Sequence, residues 1–276
     1  VRIVVILGQV IDPSGITVNR RRGRIFINRR EFILQPADRC ALEAALRIKD
    51  AADVEVVALP RSPLPDDDAL RQALALGADR AICLTGDRFE KAGDAVMTRA
   101  LAAAVERLGG AGLVLTGATT LGTGQGQLGP RLAEALGCPQ ILDAWQVTVT
   151  DGKVQAVTRS TPLPTGERGE GGYVTVETDL PAVVTTLPGS LRLRYPDGVR
   201  LINVYKGVGE ISGALERWDV TDLVDPEALR PLLERRGQDF PPERERGVRA
   251  SGTLEEMAQE AANALEARAL RQRVGR

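Results

Sequence analysis

The first 140 residues alternate between two apolar patterns. Short unbroken runs of β-branched and aliphatic residues occur at Arg2–Leu7, Val54–Leu59, Arg80–Leu84 and Leu113–Thr116. Runs of this length, bounded by glycine or polar residues, predict strands buried on both faces. Between them lie Ala- and Leu-rich stretches at helical spacing: Ala37–Lys49, Asp66–Leu76, Ala92–Leu108 and Gly126–Leu136. Glycines follow the last three, at Gly77, Gly109-Gly110 and Gly137. A glycine just past a helix can take the left-handed conformation that ends it. Strands alternating with crossover helices predict an α/β fold, a doubly wound and mostly parallel sheet covered on both faces. Thr17–Asn28 interrupts this rhythm and predicts a hairpin turning at Gly23.

The pattern changes after residue 140. Trp145–Thr150, Val154–Thr158 and Tyr173–Glu177 predict antiparallel strands, with a turn at Asp151-Gly152. Residues 160–172, "STPLPTGERGEGG", read as a flexible polar loop, and Pro181–Leu187 as another buried strand. Order weakens from Gly207 on, and "PPERERG" at 241–247 reads as a linker. Leu254, Met257, Ala258, Ala261 and Leu265 then share one face of an amphipathic helix, suited to packing on its own domain or on a partner. The expected organisation is an α/β domain over 1–206 with an antiparallel extension, and a C-terminal arm over 207–276 with linker and helix.

Composition narrows the function classes. The 276 residues carry 36 Lys and Arg against 37 Asp and Glu, so the net charge is −1, which argues against a nucleic-acid partner. No apolar run reaches the roughly 18 residues of a membrane span. The N-terminus lacks a basic leader and a small-residue cleavage site, so it reads as a first strand and not as a signal peptide. Cys40, Cys83 and Cys138 are far apart and odd in number, which argues for a reducing, cytoplasmic setting. There are 0 histidines, which excludes histidine triads, histidine general acids and bases, and histidine metal sites in this chain. The expectation is therefore no catalytic residue and no metal here, the chemistry being carried by something bound or by a partner.

The chemistry-bearing stretch is "GTGQGQLG" at 122–129. Gly124 to Gly129 fits the spacing G-x-G-x-x-G, and Asp143 lies where a ribose-binding acid would be sought. A dinucleotide fingerprint of the dehydrogenase kind should follow the first strand, and this one follows the fourth. A glycine-rich turn without a ligand is one alternative. A phosphate cradle is the other: glycines admit the ligand, free N–H groups point outward, and the following helix turns its positive end toward an anion. Thr116, Thr119, Thr120 and Thr123 add hydroxyl donors, and Pro130 suits a first helical turn.

Several segments in series resemble the beta subunit of electron transfer flavoprotein. They are "NRRRGRIFINRREFILQPADRCALEAALRIKD", "ALRQALALGADRA", "GDAVMTRALAAAV", "GQGQLGPRLAEALGCPQ", "LPAVVTTL" and "RYPD", in the family's order across about residues 1–206. "GTLEEMAQEAANAL" is similar to the family's terminal arm. The resemblance implies a domain of adenine-nucleotide-binding type in a heterodimer with a larger alpha subunit, which holds or shares the electron-transferring FAD. It implies AMP in this chain for an ordinary carrier serving flavin dehydrogenases and a quinone-linked oxidoreductase. For an electron-bifurcating member it implies a second FAD here that exchanges a hydride with NADH. A universal-stress-like nucleotide-binding regulator shares the glycine loop but not the other segments.

Carried over position by position, the resemblance places the nucleotide against Ile6 and Gly8, the turn Gln35, Pro36 and Asp38, then Arg61 and Thr98. It adds the loop Gly117, Thr119, Thr120, Gly122, Thr123, Gly124, Gln125, Gly126 and Gln127. The family commonly has Asn-Pro where this chain has Gln35-Pro36, and often two acids where it has Gly122 and Gly124. Ala95 stands where a second threonine is frequent. Arg194, Tyr195 and Pro196 match a segment that docks on dehydrogenases, without the lysine-rich run that usually follows. The six arginines at 20, 21, 22, 24, 29 and 30 read as a solvated hairpin face, or as a contact for an acidic partner or a phosphate.

Overall fold

The computed structural model describes residues 1–61, 67–86, 93–159, 172–211, 213–230 and 250–274. The chain forms two compact units, Val1–Arg235 and Arg236–Arg276. In the first unit the strands are β1 (Arg2–Leu7), β2 (Gln9–Ile11), β3 (Ile16–Asn19), β4 (Arg24–Ile27), β5 (Phe32–Leu34), β6 (Glu55–Pro60), β7 (Arg80–Thr85), β8 (Leu113–Gly117), β9 (Gln140–Thr150), β10 (Lys153–Arg159), β11 (Tyr173–Asp179), β12 (Ala182–Thr186) and β13 (Leu215–Asp219). The helices are α1 (Pro36–Ala51), α2 (Asp68–Leu76), α3 (Asp94–Arg107), α4 (Leu128–Leu136) and α5 (Gly198–Lys206), with α6 (Leu254–Val274) in the second unit. Among the described residues no helix is long and apolar enough to cross a membrane.

Among the described residues nine strands form the main sheet, in the order β11-β10-β9-β12-β8-β1-β6-β7-β13. The run from β12 to β13 is parallel, with Ile3 level with Leu113 on one side and Val56 on the other. Alternate residues of β1 serve opposite faces. Ile3, Val5 and Leu7 pack with α1 and α2, while Val4 and Ile6 pack with α3 and α4. That double burial is why the run is continuously apolar. β9 and β10 carry the antiparallel extension, Val147 opposite Ala156. β9 is longer than its apolar half suggested, because its start pairs parallel with β12 and its end antiparallel with β10. Asp143, at φ 57°, sits at the irregularity where β9 changes partner. Its N–H donates to Thr185 Oγ1 at 2.9 Å, and Asp is among the few side chains that tolerate this backbone.

The predicted hairpin is β3–β4, and Gly23 takes the left-handed cap at φ 57°. One correction concerns α4, which begins at Leu128 and not at Gly126. The backbone of Gly126 is pressed against Ala118, whose carbonyl would lie 2.7 Å from an added Cβ. The carbonyl of Gln125 is taken by Thr120 N–H at 3.0 Å, so the chain is still turning there. A second difference is the segment beyond 206. The first compact unit runs on to Arg235, and β13 completes the sheet edge beside β7. The expected starts at Asp66 and Ala92, the polar loop from 160 and the linker at 241–247 fall outside the described residues. The helix α6 opens with a reciprocal cap: Thr253 N–H donates to Glu256 Oε2 at 2.8 Å, and Glu256 N–H to Thr253 Oγ1 at 3.3 Å.

Candidate functional site

β1 lies between β8 and β6, and the sheet grows from it in both directions. Its carboxyl end is therefore a topological switch point, where open α/β sheets leave a crevice for ligands. The ends of β1, β6, β8 and β12 reach this crevice at Gly8, Arg61, Gly117 and Thr186, beside the start of α1 at Gln35–Asp38.

A buried ion pair joins the ends of β1, β6 and β8 to the start of α1. Asp38 is 0 % exposed and Arg61 8 %. Arg61 Nη2 donates to Asp38 Oδ1 at 2.7 Å and Nε to Oδ2 at 3.1 Å. The amides of Gly117 and Gly8 donate to the same carboxylate at 2.8 and 2.9 Å. Arg61 Nη2 also reaches Thr116 Oγ1 at 2.8 Å and Gly117 O at 2.7 Å. Burial pushes the Asp38 carboxyl up, and Arg61, then the Gly117 and Gly8 amides, work against that push. Every neighbour of the carboxylate is a donor, so the ionised form fits the hydrogen bonds and a protonated one would lack an acceptor. Glycine is required at Gly117, and Gly8 has little room for anything larger. A Cβ on Gly117 would lie 2.4 Å from Asp38 Oδ1, and one on Gly8 3.2 Å from the same residue.

Gln35 ties the glycine loop to this hub. Its N–H donates to Gly8 O at 2.9 Å, and its Oε1 accepts from Leu121 N–H at 2.8 Å. Pro36 opens α1, and Thr186 Oγ1 donates to Ala37 O at 3.0 Å. The loop then closes on itself, with Gly124 N–H donating to Thr120 O at 2.9 Å. The hydroxyls of Thr120 and Thr123 bond each other, so they serve the loop before any ligand. Gly122 and Gly124 have φ 99° and 66° and open space where a side chain would go. No Asp or Glu occurs from Gly117 to Pro130. Gln127 precedes α4 and accepts from Arg131 through its Oε1 at 2.8 Å. Thr119 and residues 121–127 are exposed, so this rim is accessible.

The structure brings together Gly8, Gln35, Asp38, Arg61, Gly117 and the loop around Thr120. It distributes other expected residues elsewhere. The side chain of Ile6 belongs to the core under α3 and α4. Thr98 spends its hydroxyl on Asp94 O of its own helix at 2.8 Å. Arg194 is held down on α1, bonding Glu43 Oε2 at 3.1 Å and Asp50 Oδ2 at 2.7 Å. Burial pushes Glu43 up, but the bonds from Arg194 and Arg47 more than offset this and hold it below its usual value. Tyr195 is 82 % exposed and Pro196 is exposed beside it. Sequence reasoning missed that Arg61 and Asp38 are partners and that Glu43 holds Arg194. A lone carboxylate on the Ala/Leu face of "CALEAALRI" was the available signal for the latter.

Fold and crevice define a doubly wound α/β protein whose candidate site lies at the switch point beside a glycine loop. The family model for the electron transfer flavoprotein domain matches residues 24–223. Among similar proteins, Protein FixA of Azorhizobium caulinodans is 37% identical over 199 residues, covering 70% of this chain and 68% of its own. The electron transfer flavoprotein subunit beta of Clostridium acetobutylicum is 30% identical over 221 residues, covering 80% and 79%. The acryloyl-CoA reductase electron transfer subunit gamma of Anaerotignum propionicum is 27% identical over 239 residues, covering 84% and 81%. The chain belongs to the electron transfer flavoprotein family, on its beta-subunit branch. Members of this branch typically pair with an alpha subunit, and the family works with flavin and nucleotide. The universal-stress-like alternative is set aside by this membership.

Proposed function

We propose that this chain holds an adenine nucleotide in the crevice at the ends of β1 and β8, within a heterodimer whose alpha subunit carries the electron-transferring FAD. The observation that carries this reading is the acid-free glycine loop from Gly117 to Pro130, set at the switch point and tied to it by Gln35. Its exposed rim leads into α4, whose first amides lack helical partners and face the positive end of the helix dipole. Phosphate chemistry fits such a rim, because nothing anionic in the loop opposes it.

The flavin supplies the redox chemistry when bound. The residues of this chain bind and orient, and none acts as nucleophile or general base. As an ordinary carrier the heterodimer takes electrons from flavin dehydrogenases and delivers them toward a quinone-linked oxidoreductase, in the cytoplasm, with AMP here. The name of the Anaerotignum relative, an electron transfer subunit of a CoA-ester reductase, supports a flavoenzyme partner of that kind.

One observation favours a second reading, in which the nucleotide is a second FAD that reacts with NADH. Gly122 and Gly124 leave open space at the rim, and the room and the absence of charge suit a pyrophosphate. The visible spectrum of the purified heterodimer, followed during anaerobic addition of NADH, tests both. Bleaching by NADH alone supports the bifurcating reading, and a flavin reduced only through a dehydrogenase supports the carrier. A complex with no flavin spectrum contradicts both.

A further inference from the structure

The hairpin β3–β4 carries an apolar face that no described residue covers. Ile16 lies opposite Ile27 and Val18 opposite Ile25, and cross-strand partners share a face of the sheet. Val18, Ile25 and Ile27 are each about half exposed. Neither hydrophobic core takes in any of the four. Among the described residues the two strands pair with no third. The base of the hairpin is nonetheless fixed. Asp12 N–H donates to Glu31 O and Asn28 N–H to Gly15 O, each at 2.8 Å. A Cβ on Gly15 would collide with the Arg29 carbonyl.

Two strands alone are marginal in water, and a third strand or a packed face is needed to hold them. An open ladder with β-branched residues on its face also invites aggregation. The hairpin therefore belongs to an interface, and its charge says what meets it. Residues 13–30 hold six arginines and no Asp or Glu. Of the six, only Arg29 has an ion pair among the described residues, with Glu31. Elsewhere on the domain Arg47, Arg80 and Arg194 each find a carboxylate. An apolar strip edged by unanswered guanidinium groups fits an apolar strip edged by carboxylates. The apolar part selects a permanent partner over a transient one. Obligate interfaces resemble a domain core cut in half, whereas electron-transfer encounters are small.

We infer that the β3–β4 hairpin is an arm gripped by the alpha subunit. Its face of Ile16, Val18, Ile25 and Ile27 packs on an apolar strip of that subunit, and carboxylates there answer Arg20, Arg21, Arg22 and Arg24. This rests on the heterodimer reading above. The arm stands on β2 and β5, whose feet are Gly8 and Gln35. The contact is thereby joined, through two short strands, to residues that frame the crevice.

The test is hydrogen exchange of the wild-type heterodimer, read by mass for peptides over residues 16–27. Their amides should exchange at least about 100-fold slower than those of an unstructured chain, which a lone hairpin does not achieve. Val18→Thr with Ile25→Thr keeps β-branched side chains in the strands and puts hydroxyls into the contact. The pair should raise the dissociation constant of the heterodimer about 10- to 100-fold, measured by dilution and light scattering. Arg20→Gln, Arg21→Gln and Arg22→Gln together should slow association about 10-fold at low salt, and the difference should vanish at about 1 M salt. Rapid exchange over 16–27 in the heterodimer overturns the inference, as does a threonine variant that dissociates within about twofold of wild type. Slow exchange that appears only when a dehydrogenase is added, or that is equal in the beta chain alone, overturns the alpha subunit as occupant. If the threonine variant does not fold, the wild-type exchange decides. Wild-type chains that do not associate contradict the heterodimer reading itself, and the inference with it.

Discussion

Replacing Asp38 by Ala tests how much the crevice depends on its buried pair. The substitution strands Arg61, 8 % exposed, without a carboxylate, and it removes the acceptor of the Gly8 and Gly117 amides. Breaking one side of a buried pair costs about 3–5 kcal/mol. Each amide left dry would add about 1–3 kcal/mol, although water entering the space left by the side chain offsets part of that. A total near 4–5 kcal/mol corresponds to a fall in Tm of roughly 8–20 °C for a domain of this size. The assay is thermal unfolding followed by circular dichroism, with Arg61→Met measured alongside. The double variant Asp38→Ala with Arg61→Met removes both charges and should be less destabilised than the sum of the single changes, by more than about 2 kcal/mol. Additive losses, or a loss below about 1 kcal/mol for Asp38→Ala, would refute the view that the pair holds the strand ends together.

Three other outcomes are expected. Gly124→Asp puts a charge on an open rim position with nothing within 4 Å of the new Cβ, although its φ of 66° strains any side chain there; Asp and the uncharged control Gly124→Asn should both lose about 1 kcal/mol of stability, while nucleotide affinity falls about 10-fold further for Asp than for Asn in equilibrium dialysis. Glu43 lies below its ordinary 4.5 when folded because of Arg194 and Arg47, so its contribution is complete above that value and is lost as pH falls through the lower folded value. Wild-type stability in urea should therefore drop below pH 4.5 more steeply than that of Glu43→Gln, and equal slopes would contradict the assignment. Burial pushes the Cys83 thiol up to about 11, so iodoacetamide at pH 7.5 should leave it unmodified in folded protein, as found by peptide mass mapping.

The parallel core was legible because its strands are buried on two faces and its helices end in glycines, two signals that are local in sequence. β13 and α5 were not. "LERWD" is polar, since an edge strand covers little and Arg217 and Glu216 point to other side chains. The short α5 buries only Val204 among its apolar residues, so its periodicity is faint. At the site, Gly117 and Gln35 could be singled out from the chain, yet their purposes could not. Gly117 is glycine because Ala37 and Asp38 press on it, and Gln35 reaches 86 residues forward to Leu121. The pairing of Arg61 with Asp38 depends on the spatial order of β6, β1 and β8, which no local spacing encodes. The α4 start was misplaced for a similar reason: glycine and glutamine at 126 and 127 suit a helix start and a turn equally, and the contact with Ala118 decides.

The central claim, an adenine nucleotide held by this chain, is met most directly by denaturing the purified heterodimer and identifying the released nucleotides by mass, with amounts per dimer. The account predicts FAD together with a second adenine nucleotide, either AMP beside one FAD or FAD alone at two per dimer. One FAD per dimer with no other adenine nucleotide would contradict it.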